Sequence, residues 1–164
     1  MVVIMIKKAK LALAIAIAPL CNTTQANTDG DLYGLNLTQR MNVEVLSATK
    51  RPQTLADTAA AMHVISQDDI RRSGATTLPE ILRQAPGLEV ARINAHTWAV
   101  TARGFQSQFA NKLLVLVDGR SVYTPLFSGV YWDAEIPMLE DIDRIEIIRG
   151  PGSSVWGSNA VNGV

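Results

Sequence analysis

The sequence predicts a small α+β domain, a mixed β-sheet carrying short helices. Three observations point there. Two helix starts with capping signatures follow each other closely, at Ser66–Asp69 and Thr77–Glu80. A continuous apolar run, Leu113-Leu-Val-Leu-Val117, is followed at once by the hairpin signal Asp118-Gly119. A further β-rich stretch, Ile142 to Ile148, alternates, with Ile145 and Ile147 on one face and Glu146 on the other.

In chain order, Met1 to Leu20 reads as a charged start, with Lys7, Lys8 and Lys10, followed by an apolar run from Leu11. Thr24 and Ala26 place small residues at −3 and −1 of a cleavage site, so residues 1–26 are expected to be a secretory signal peptide. The run is short for a membrane span. Leu20 is bulky where a lipoprotein signal carries a small residue before its cysteine, which argues against lipidation of Cys21. Removing residues 1–26 takes three lysines and leaves 12 basic against 15 acidic residues, a net of −3, with no cysteine. That composition suits an oxidising compartment such as a periplasm.

Residues 27–40 are polar and weakly periodic, a flexible leader. Met41 to Ala48 combines β-formers with partial alternation and can pair as a strand, which Thr49-Lys-Arg-Pro-Gln53 breaks. Ala59 to Ile65 is the first buried strand. A helix then opens at Ser66, with Arg71 and Arg72 in its last turn, where the helix dipole favours cations, and stops at Gly74. The next opens at Thr77, tolerates Pro79 in its first turn, and turns Leu78, Ile81 and Leu82 inward before Pro86-Gly87. Short strands are expected over Leu88–Arg92 and Ala99–Arg103. Leu113–Val117 reads as a central strand buried on both faces, with Ser121–Tyr123 as its hairpin partner. Gly150-Pro-Gly152 ends the strand that begins at Ile142.

Composition narrows the function. Lys+Arg and Asp+Glu are both 15, which disfavours a nucleic-acid binder. One cysteine excludes a disulfide framework and a cysteine-rich zinc module, and two histidines leave little for a metal cluster. A membrane barrel within this chain is rejected. It would need about eight alternating segments and girdles of aromatics, whereas Trp, Tyr and Phe number three each and lack that spacing.

The chemistry-bearing motifs do not assemble a catalytic site. Gly150-Pro-Gly-Ser-Ser-Val-Trp-Gly157 resembles a phosphate loop only in its glycines, because no Lys-Ser or Lys-Thr follows and no helix clearly opens there. No Gly-x-Ser-x-Gly elbow occurs. His63 sits within an apolar strand and Asp118 serves a turn. His96, in a polar turn beside Trp98, is the better candidate for touching a ligand. No catalytic residue, metal site or cofactor is predicted.

The order of motifs is more telling. Val64-Ile-Ser-Gln-Asp-Asp-Ile70, Leu78-Pro-Glu-Ile-Leu82, Ala85-Pro-Gly-Leu-Glu-Val90, Arg103-Gly-Phe105 and Leu114-Val-Leu-Val-Asp-Gly-Arg120 lead the series. Leu139 to Gly157 and Asn159-Ala-Val-Asn-Gly163 close it. From about Val43 to Val164 the chain resembles the plug domain of TonB-dependent outer-membrane receptors, with residues 49–164 as the plug itself.

That resemblance implies a transporter for a scarce nutrient of the ferric siderophore, haem or cobalamin class, in which the plug blocks a barrel of about 22 strands. It implies an outer-membrane location, with three partners: the C-terminal domain of TonB, a cognate β-barrel, and a small-molecule or metal-chelate ligand. The TonB-binding segment carries over to residues 41–48, as Asn42, Val43, Glu44, Val45, Leu46, Ser47 and Ala48. Strand addition is the physics, with Val43, Val45 and Ser47 facing one side and Glu44 and Leu46 the other. Glu44 departs from the more apolar family pattern. Ligand contacts carry over to three loops: His96 and Trp98; Gln106, Gln108 and Phe109; and Phe127, Tyr131 and Trp132. Arg103, Arg144, Arg149, Glu140 and Glu146 are assigned to structural ion pairs among plug and barrel. The alternative is a free periplasmic plug fragment that binds TonB without transport. A periplasmic enzyme is the third class, and it lacks any site.

Overall fold

The elements of the sheet come from both ends of the chain. A computed structural model describes residues 2–6, 36, 38, 41–135 and 137–163. The strands are β1 (Val2–Ile6), β2 (Glu44–Val45), β3 (Gln53–Thr54), β4 (Ala61–Ser66), β5 (Leu88–Arg92), β6 (Trp98–Ala102), β7 (Val115–Val117), β8 (Arg120–Ser121) and β9 (Ile142–Arg149). The helices are α1 (Gln67–Ser73), α2 (Leu78–Leu82) and α3 (Ser153–Trp156), and a 3-10 turn (Leu139–Asp141) leads into β9. Five strands form one mixed sheet in the order β4-β9-β1-β7-β8, while β2–β3 and β5–β6 pair separately. This is the mixed sheet with short helices that the sequence predicts, and no barrel closes among the described residues.

Local chemistry accounts for the boundaries. Ser66 caps α1 as a full capping box: its hydroxyl accepts from the Asp69 amide at 3.2 Å, and the Asp69 carboxylate accepts from the Ser66 amide at 2.9 Å. Gly74 ends the helix in the left-handed conformation at φ 65°. At α2 the outcome differs from the expected box. Thr77 is the N-cap but its side chain makes no cap bond, and Glu80 reaches instead to the Thr76 amide at 3.1 Å. The β7–β8 turn takes positive φ at both Asp118 (49°) and Gly119 (80°), the geometry of a two-residue hairpin. Residues 153–156 form one helical turn where the sequence showed none, with Gly152 as the N-cap.

The sheet is buried on both faces. Val2, Ile4, Val115, Ile145 and Ile147 point into the main core, beneath Ile70, Ile81 and Leu82 from the two helices. Val3, Leu114, Leu116 and Ile148 point the other way, into a smaller cluster with Ala160, flanked by Ala48 and Trp156. Leu113–Val117 is thus buried on both faces as expected, and Ile145 and Ile147 share a face opposite Glu146.

β1 was not foreseen. Val2–Ile6 lies within the stretch read as a signal peptide, yet it occupies the centre of the sheet, parallel to β7 and antiparallel to β9. Gly163 enters the same gap from its other end, bridging Leu113 in parallel and Arg149 in antiparallel fashion. A Cβ at Gly163 would lie 2.8 Å from a Leu113 methyl and 3.2 Å from the Ile148 carbonyl, so the approach requires glycine. Residues 7–35, including most of the 27–40 leader, lie outside the described residues.

Candidate functional site

The segment 41–48 lies against the second face of the sheet, with a strand at Glu44–Val45 and a turn that begins at Ser47. Its short strand β2 pairs with β3, Glu44 opposite Thr54 and Val45 opposite Gln53. The Leu55 amide donates to the Val43 carbonyl at 2.8 Å, which turns the backbone groups of Val43 and Val45 toward β3. By the alternation of an antiparallel ladder, those of Glu44 and Leu46 face away from it. Side chains alternate as expected: Val45 and Ser47 are buried, Val43 is half-buried, and Glu44 is exposed. Leu46 and Ala48 are half-buried, and Asn42 is exposed.

A single carboxylate pins the end of this segment. Glu146, fully buried in β9, accepts from the Leu46 amide at 3.2 Å, the Ser47 amide at 3.0 Å and the Ser47 hydroxyl at 2.6 Å, all through Oε2. Its other oxygen faces Arg144 two residues earlier on the same strand face, Nε to Oε1 at 2.9 Å. This contact is an ion pair without the alignment of a hydrogen bond. The carbonyl of Ser47 is held as well, accepting from Trp156 Nε1 at 2.8 Å. The ammonium of Lys50 lies 4.4 Å from the centre of the Trp156 ring. Sequence reasoning placed Glu146 in a structural ion pair but missed this role. Its only signal was a carboxylate at a strand position flanked by isoleucines.

The ligand-contact candidates divide. Phe109, Phe127 and Tyr131 come together as a ladder of edge-to-face rings, with centroids 5.2 Å and 5.0 Å apart. Phe109 and Tyr131 are exposed, and Phe105 and Leu126 nearby are 75% and 78% exposed. Gly129 is required there, because a Cβ would collide with the Phe127 ring and stand 2.7 Å from the Ala110 carbonyl. Gln106 and Gln108 are exposed on the same loop as Phe109. His96 is exposed in a separate turn, where Asn94 accepts its amide at 3.0 Å. Trp98 and Trp132 are buried in the main core, and the guanidinium groups of Arg83 and Arg92 lie over the Trp98 ring at 5.5 Å and 5.3 Å.

Two further groups show how burial tunes chemistry here. Tyr123 donates its hydroxyl to the Leu113 carbonyl at 2.6 Å, and burial pushes its ionisation well above the ordinary tyrosine range. His63 faces Ile147 across the β4–β9 ladder. Burial, helped by Arg149 and opposed by Asp69, lowers its pKa from 6.5. Arg103 and Arg149 donate to carbonyls, of Arg149 at 3.5 Å and Pro86 at 3.3 Å.

Fold and site together define a small α+β domain that holds the 42–48 segment against its sheet. The family model for the TonB-dependent receptor plug domain matches residues 54–164, and the chain belongs to that family, which is one of transport receptors rather than enzymes. The vitamin B12 transporter BtuB of Vibrio vulnificus is 35% identical over 128 residues, 77% of this chain and 20% of that protein. BtuB of Vibrio cholerae is 32% identical over 155 residues, 94% of this chain and 24% of that protein. The chain therefore spans about a fifth to a quarter of the length of these curated relatives. Among solved structures, the ferripyoverdine receptor of the Pseudomonas aeruginosa outer membrane matches with a TM-score of 0.54 at 17% identity, over 74% of this chain and 15% of that one. A structure of Pseudomonas aeruginosa FpvA with a heterologous pyoverdine also scores 0.54, at 18% identity over 73% of this chain and 15% of that one. Both likenesses concern the fold.

Proposed function

We propose that this chain is the gating plug of an outer-membrane transporter that takes up a scarce nutrient of the cobalamin or metal-chelate class. Residues 1–26 direct export, so that Val2–Ile6 fills the gap beside β9 only until they are removed, and residues 42–48 are the segment to which the C-terminal domain of TonB adds a strand. The observation that carries the reading is the state of that segment. It carries a short strand at Glu44–Val45 and is alternately buried, and the backbone groups of Glu44 and Leu46 face away from β3. An incoming strand needs such an edge. The ladder of Phe109, Phe127 and Tyr131, beside Gln106 and Gln108, offers stacking and hydrogen bonding to a ligand, with His96 on a separate turn. Trp98 and Trp132 are buried in the main core rather than on these loops' exposed faces. No step of the proposal calls for a catalytic residue or a cofactor.

Glu44→Pro tests the segment directly. Proline removes the amide donor of Glu44, which faces away from β3, and leaves the Val43 bond to Leu55 in place. Affinity for the TonB C-terminal domain is expected to fall at least tenfold in a titration, and unchanged affinity would refute the assignment.

A further inference from the structure

We propose that Glu146 is a latch that sets how much of the 42–48 segment a partner strand can reach. The inference rests on the strand-addition reading above and adds its control. The edge of the segment that faces away from β3 alternates through Glu44 and Leu46. Glu146 Oε2 occupies the Leu46 donor at 3.2 Å, and it also takes the amide and hydroxyl of the next residue, Ser47. Trp156 holds the Ser47 carbonyl at 2.8 Å, so this residue is pinned through both donor and acceptor. A strand arriving from the Asn42 end therefore pairs at Glu44 and stops until the carboxylate releases Leu46.

The latch is strong because it is buried. Hydrogen bonds to a carboxylate outweigh neutral ones, and Glu146 is fully shielded from water. Arg144 balances its charge at 2.9 Å, so Oε2 can serve the segment alone. Glu146 also sits within the β4-β9-β1 core of the sheet, opposite Val64 on one side and Val3 on the other. Its position is therefore set by strand pairing on both sides. Affinity for a partner strand is then reduced by the fraction of molecules in which the segment is free.

The test compares the full chain with Glu146→Gln and with Ser47→Ala, following amide hydrogen exchange by NMR and affinity for the TonB C-terminal domain. Exchange at the Leu46 and Ser47 amides is expected to quicken at least fivefold in Glu146→Gln, and by a smaller factor in Ser47→Ala. Amides of the β5–β6 hairpin, such as Val90 and Val100, serve as the control and should not change. Affinity should rise by a similar factor. Unchanged exchange at Leu46 and Ser47 in both variants overturns the latch, even where Glu44→Pro abolishes binding. Faster exchange with unchanged affinity also overturns it, because the carboxylate then holds the segment without limiting the partner strand; the strand-addition reading itself stands or falls with Glu44→Pro. If Glu146→Gln also loses protection in the hairpin, Ser47→Ala decides, since it deletes one hydroxyl and leaves the carboxylate with its arginine.

Discussion

Glu146 Oε2 lies 3.0 Å from the amide nitrogen of Ser47 and 2.6 Å from its hydroxyl, across 99 residues of chain. This contact ties the segment preceding β3 to the strand at the middle of the fold. The charge of Glu146 is tolerable there because Arg144, itself 23% exposed, stands beside it.

Arg144→Ala leaves that carboxylate buried and unpaired. Breaking one side of a buried pair costs about 3 kcal/mol or more, and the low end applies here because Arg144 is partly hydrated. Urea unfolding of the variant is expected to show that loss, and Arg144→Lys is expected to recover part of it.

His63 makes stability depend on pH. Its pKa in the folded chain lies below 6.5, so the unfolded chain takes up the proton first. Its contribution is present above pH 6.5 and is lost as pH falls through the lowered folded value. The urea midpoint should therefore drop between pH 7 and pH 5 more steeply in the native chain than in His63→Gln. Parallel profiles would show that His63 is not a source of the dependence.

The gap between β7 and β9 is a slot for an extended apolar strand. Val2, Val3 and Ile4 fill it, and burying side chains of this kind contributes about 1.5–3 kcal/mol each. A chain beginning at Asn27 is expected to unfold at clearly lower urea than the full chain. Gly163 enters the slot pointing along the direction of β1, since both run parallel to β7. Appending a six-residue apolar strand after Val164 should displace Val2–Ile6, seen as loss of amide protection at those residues. Retained protection there would contradict the shared slot.

Much of this architecture was legible because it depends on short-range chemistry. Ser66 with Asp69, Gly74, Asp118-Gly119 and the alternation of Ile145, Glu146 and Ile147 each act within a few residues. The sequence missed what depends on long-range placement. Val2–Ile6 carries the apolar character that suits an export signal and a core strand alike, and its pairing with β9 depends on a gap that only the folded sheet offers. The four-residue turn at Ser153 is too short to show a helical period. In the candidate site, the alternating burial of Val43, Val45 and Ser47 was readable, whereas the clamp by Glu146 joins residues far apart in the chain. Trp98 and Trp132 were read with the other loop aromatics because residue type does not separate a ring in the core from one facing a ligand.

The most direct measurement titrates the TonB C-terminal domain into the isotope-labelled full chain and reads amide protection residue by residue. Strand addition predicts new protection at Glu44, on the edge that faces away from β3, with the β5–β6 hairpin unaffected. Protection confined to residues outside 42–48, or none at saturating TonB domain, would contradict the assignment of this segment as the point where TonB engages the plug.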